Sequence, residues 1–92
     1  MPYIKEEDRI QFADATNDII DSILEETSET SRAGMLNYVI SRIIAELLDA
    51  EGLTYNRLNT YMGVLECAKQ ELYRRVASDF EDEKMKANGD VF

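Results

Sequence analysis

Ninety-two residues make one domain over 1–92, with no room for a second. Nineteen acids against ten bases give a net charge of −9 with no histidine. The charge argues against a nucleic-acid partner, which calls for a basic face, and the missing histidine removes the common zinc and Ser-His-Asp arrangements. Hydrophobic residues at 45% and charged residues at 32% describe a chain that folds, although so small a core often gains area by pairing with a second copy.

The periodicity predicts three helices and no strand. Helix 1 spans about 6–26, with Ile10, Ala13, Ile20 and Leu24 at helical spacing and Phe12, Ile19 and Ile23 widening the stripe. Glu6, Glu7 and Asp8 suit the positive end of its dipole. A Ser/Thr-rich stretch ending in Gly34 reads as a loop over 27–33. Helix 2 spans about 34–51: Leu36, Ile40, Ile43 and Leu47 share a face, and Val39, Ile44, Leu48 and Ala50 extend it past half the circumference. So wide an apolar face suits more than one neighbour. Gly52 supplies a stop and Thr54 an N-cap.

Helix 3 spans about 54–87 on a stripe of Leu58, Leu65, Leu72 and Val76. Gly63 inside it marks a close crossing or a kink, and Asn88-Gly89 reads as a left-handed cap with Val91 placed to fold back. The short turn at Gly52 makes helices 2 and 3 an antiparallel hairpin. The expected fold is thus an all-α three-helix domain, associating as a homo-oligomer. Residues 1–30 hold nine acids and two bases while residues 53–76 hold four bases and two acids. That contrast favours helix 1 lying against helix 3, within a chain or across a dimer.

One cysteine, Cys67, cannot staple a domain and points to a reducing compartment. The opening MPYIKEEDR lacks the apolar run of a signal peptide, and no apolar run is long enough to cross a bilayer. A cytoplasmic protein without a membrane partner is expected, located in the host cytoplasm if encoded by a phage.

Two constellations could carry chemistry. The first is acidic: Glu25, Glu26 and Glu29 in EETSE, then Glu46 and Asp49 in ELLD. This pattern resembles the EExxE and ExxD motifs of the all-α nucleoside triphosphate pyrophosphohydrolases of the MazG type. The resemblance implies magnesium held between two helices and a water activated against a phosphoanhydride. Solvated acids are the plainer alternative, because in that family both motifs lie within packed helices. Magnesium is the sole cofactor in view, and only under this enzyme alternative.

The second constellation lies in LECAKQELYRR. On a helical wheel Tyr55, Met62, Glu66, Lys69, Tyr73 and Phe80 share a flank of helix 3, with Asn59 at its edge. Lys69 therefore falls among apolar neighbours. Three readings compete: it snorkels with its ammonium in water, it joins a buried polar cluster with Glu66, or it lines a pocket for an anion or a stacked ring. Asn37 on helix 2 either ties helices 2 and 3 together or forms a second wall of that pocket. Arg74 and Arg75 can grip a phosphate as a tandem pair or pair with Asp79 or Asp82 along the helix, the favoured reading.

The segments MPYI, EEDR, LNYVISRI, GVLECAKQELYRRV and FEDEKMKANGDVF resemble a family of short prokaryotic and bacteriophage proteins of unknown function. Its members carry MPYI followed by EDR, then LNYAITRI-like and GVLECAKLEFYRRV-like helices, and end near YEDEKIxxNGDVY. The resemblance implies a small helical protein, often phage-encoded, with no established activity. EETSE and ELLD lie outside that signature, whereas Glu66 and Lys69 lie inside it. The expected function is binding rather than catalysis, directed at a host protein or a small anionic ligand. A nucleotide- or cyclic-signal-sequestering module is the further alternative.

Overall fold

The computed structural model describes residues 2–92. The fold is all-α, with no strand among the described residues. Three helices follow one another, the third interrupted: α1 (Glu6–Leu24), α2 (Glu29–Glu51), then α3 (Tyr55–Leu72), a π-helical segment (Tyr73–Ala77) and α4 (Ser78–Asn88). The contacts divide the chain into two units, one of Tyr3–Leu58 and one of Asn59–Phe92 with Pro2.

In the first unit, Glu6, Glu7 and Asp8 occupy the first turn of α1, where carboxylates complement the exposed N–H groups. The chain reverses over 25–28, a shorter and earlier loop than the Ser/Thr-rich stretch suggests, and α2 starts at Glu29 rather than near Gly34. Capping chemistry accounts for the difference. The Ser28 hydroxyl accepts a hydrogen bond from the Ser31 N–H at 3.3 Å, and the Glu26 carboxylate accepts from the N–H groups of Thr27 and Ser28 at 3.0 and 3.1 Å. Arg32 then reaches back across the turn and donates to the carbonyls of Glu26 and of Leu24, the latter at 3.1 Å. It satisfies carbonyls that the end of α1 leaves open, and α1 has no basic residue of its own in its last turn. Gly34 is carried inside the helix, a tolerable cost of about 1 kcal/mol.

This turn makes α1 and α2 the paired helices of the unit. Pairing of helix 2 with helix 3 was the expectation from the short turn at Gly52. Within this unit α2 pairs with α1, and only the first turn of α3 belongs to the unit. Gly52 does end α2, at φ 93°, donating its N–H to Leu48 O at 2.8 Å. Thr54 does cap α3, its hydroxyl accepting from the Arg57 N–H at 3.1 Å. Arg57 closes the same turn by donating to the Gly52 carbonyl at 3.1 Å and lying 3.7 Å from the Glu51 carboxylate.

In the second unit the helix runs through Leu72, widens over Tyr73–Ala77 and resumes as α4. The Ser78 N–H bonds back five residues to the Tyr73 carbonyl. One uninterrupted helix over 54–87 was expected, because apolar periodicity does not reveal a π turn, which admits an extra residue into the ladder. Gly63 is open on its side-chain side: a methyl group there would meet nothing within 4 Å. Within its unit it therefore marks no close crossing. Gly89 is the left-handed cap, at φ 94° with its N–H on Met85 O at 2.9 Å. Val91 remains exposed while lining a shallow cavity with Tyr73 and Met85.

The distribution of burial is the main departure from an ordinary domain. No residue among the described ones is buried, polar or apolar. The α1–α2 pair half-covers Ile19, Ile23, Val39, Ile44 and Leu48, which the periodicity places at the margins of the two stripes. The stripes themselves stay open: Ile10, Ile20 and Leu24 on α1 are exposed, as are Leu36, Ile40, Ile43 and Leu47 on α2.

Candidate functional site

Glu66 and Lys69 sit one turn apart on α3, and Lys69 Nζ lies 3.2 Å from Glu66 Oε1. Gln70, a turn beyond Glu66, donates its side-chain N–H to the same oxygen at 3.3 Å. Glu66 thus receives two partners from its own helix. The Lys69 ammonium, then Gln70, holds its carboxyl below the ordinary value of 4.5. The Lys69 side chain is 73% exposed, so its charge is solvated and its partner is local. Neither a buried cluster nor an enclosed pocket surrounds it within its unit. What this arrangement offers chemically is a fixed ion pair on a helix surface, with the lysine's remaining donors directed to water.

The other members of the flank are also open. Tyr55 starts α3 and is 83% exposed, and Met62, Tyr73 and Phe80 are exposed as well. Asn59 is exposed on α3. Tyr73 opens the π segment and lines the shallow cavity at the end of α4, together with Lys84, Met85 and Asn88. Lys84 lies over the Phe80 ring, 5.3 Å from its centre, a contact that covers part of the apolar flank. Asn37 makes its contact along its own helix: its side-chain oxygen accepts from the Ser41 hydroxyl at 3.0 Å. Arg74 pairs backward with Glu71 rather than forward with Asp79 or Asp82, and Arg75 makes no ion pair among the described residues.

The five acids of the metal alternative are spread along the first unit. Glu25 is the C-cap of α1, Glu26 lies in the turn and Glu29 starts α2. Glu46 is on α2 and pairs with Arg42 at 2.8 Å, with Asp49 a turn further. Because Glu29 and Glu46 share one straight element, the 1.5 Å rise per residue sets them about 25 Å apart. Ligands of one magnesium ion lie about 2 Å from it. Among the described residues no group of three or more acids or cysteines is placed to hold a metal ion.

A groove that no polar motif signals lies between α1 and α2. It measures about 590 Å³, with Ile19, Ile23, Met35 and Val39 on its walls and Asp18 at its rim. Its signal in the sequence is the breadth of the apolar stripes. Polar spacing carries no trace of it.

The described residues thus define a small all-α protein with surface ion pairs and open apolar faces. The chain belongs to the family described as Domain of unknown function (DUF6899), which matches residues 1–91. No curated protein and no solved structure matches it. No helix among the described residues is long and apolar enough to cross a membrane.

Proposed function

We propose that this protein acts by binding, through the apolar faces of its helices, and not by catalysis. The observation that supports this is that, within the first unit, the apolar stripes stay open: Ile10, Ile20 and Leu24 on α1 and Leu36, Ile40, Ile43 and Leu47 on α2 are all exposed. Contiguous apolar faces of this kind mark surfaces for a partner. Such faces serve a macromolecular partner better than a small anionic ligand, which needs concave walls and converging donors. The acidic surface around them selects against phosphate and for basic or apolar surfaces.

The motif resemblance to bacteriophage proteins supplies a setting: a single helical domain, made in the cytoplasm of an infected cell. The reading calls on no cofactor. It is tested on the purified chain at submicromolar concentration with 1-anilinonaphthalene-8-sulfonate, which fluoresces on exposed apolar surface. Strong fluorescence that falls as the faces become covered is the expected result. A dilute, dye-silent monomer with protected amides would overturn the reading.

A further inference from the structure

We propose that the partner covering the apolar faces is a second copy of this chain, with α3 and the π segment of one protomer seated on the α1–α2 pair of the other. This rests on the binding reading above and gives it an occupant. Two observations carry it. The first is which residues the intrachain contacts leave open. Within the first unit, α1 and α2 half-cover the margins of their stripes, while Ile20, Leu24, Ile43 and Leu47 from the stripes themselves stay exposed. A helix whose best apolar face is outward, with its lesser flank inward, is organised for a neighbour that its own hairpin does not supply.

The second is charge. α1 carries six acids and one base, and none of its acids forms an ion pair among the described residues. α2 and α4 are also net negative, so two copies meeting through like elements would oppose like charges. The segment from Tyr55 to Ala77 holds four bases against two acids and is the one net-positive helical stretch among the described residues. It also carries Leu58, Leu65 and Leu72, all exposed, on a helical stripe. The rim of the α1–α2 groove bears Asp18, and the π segment bears the unpaired Arg75. A two-fold axis would use the arrangement twice, α3 of each protomer on the hairpin of the other.

The test is sedimentation equilibrium of the intact chain together with two charge reversals at exposed positions, Asp18→Arg and Arg75→Glu, at low and high salt. The wild type is expected at twice 10.6 kDa. Each reversal is expected to weaken the dimer roughly threefold to tenfold at low salt, less at high salt, and an equimolar mixture of the two variants to recover wild-type affinity as a heterodimer. Circular dichroism of each variant confirms its helicity, so a loss of association is separated from a loss of fold. A dimer indifferent to both reversals would overturn the α3-on-hairpin assignment, as would a mixture that fails to recover. A monomer that binds the apolar dye overturns the second copy as occupant and leaves the binding reading standing. A dye-silent monomer, its faces closed within one chain, overturns both.

Discussion

At the scale of single residues, Lys69 shows how a helical wheel can mislead. The wheel sets it among Tyr55, Met62 and Tyr73, where an unpaired ammonium would cost several kcal/mol if the flank were buried. In the structure that flank is open and the lysine costs nothing to place. Its partner Glu66 was legible from the i, i+3 spacing alone, because that pairing is decided by local geometry. Gln70 as a second partner was missed, since neutral amides leave no charge pattern to follow. The pairing has a pH signature. Glu66 is held below its ordinary 4.5 in the folded helix, so its contribution is fully present above that value and is lost as pH falls through the lowered folded value. Glu66→Gln should therefore lower stability slightly at neutral pH and converge with wild type as pH falls below about 4.5, which flattens the acid side of its thermal-stability profile. Melting wild type and variant by circular dichroism between about pH 3 and 7 is the check, and parallel profiles would show that the pair is inert.

At the scale of elements, the turn at 25–28 depends on one arginine from the following helix. Arg32 donates to the Leu24 carbonyl at the end of α1 and to the Glu26 carbonyl in the turn, and is only half-exposed. Arg32→Ala should destabilise the α1–α2 pair by about 1–2 kcal/mol, as charged hydrogen bonds of this kind do. Hydrogen exchange of the amides near Ile23 and Met35 would locate the loss, and uniform exchange over the whole chain would contradict a local clamp. The same turn explains what was and was not legible in the sequence. Helix existence, the Gly52 and Gly89 stops and the Thr54 cap were legible, because glycine at positive φ and a hydroxyl cap are local devices. The start of α2 was not, because serine and threonine favour loops and caps alike, and only Ser28 with Glu26 settles which one applies. With α2 continuous from Glu29 to Glu51, EETSE lies around the turn and ELLD near the far end of α2. The π segment was invisible to periodicity, since it alters the ladder without altering composition.

At the scale of the whole molecule, the apolar stripes that periodicity identified are real helical stripes, yet they are not the surfaces that the α1–α2 pair covers within its own unit. Amphipathicity records that a face must be covered. It does not record by whom, which is why the fold class was legible and the core was not. If covering comes from association, folding and binding are one equilibrium, and stability must depend on concentration. For a two-state dimer the midpoint of thermal unfolding rises with total protein, because dilution favours the dissociated, unfolded chains. A hundredfold dilution changes the free energy of the assembled state by about 2.7 kcal/mol per dimer formed. With unfolding entropy near about 2.1 cal/mol/K per residue over both chains, that is a fall of about 7 °C in the midpoint. Melts of the intact chain at two concentrations about a hundredfold apart decide this directly. Coincident midpoints would mean that the apolar faces are closed within one chain and that the surface available for a partner is much smaller than the helices suggest.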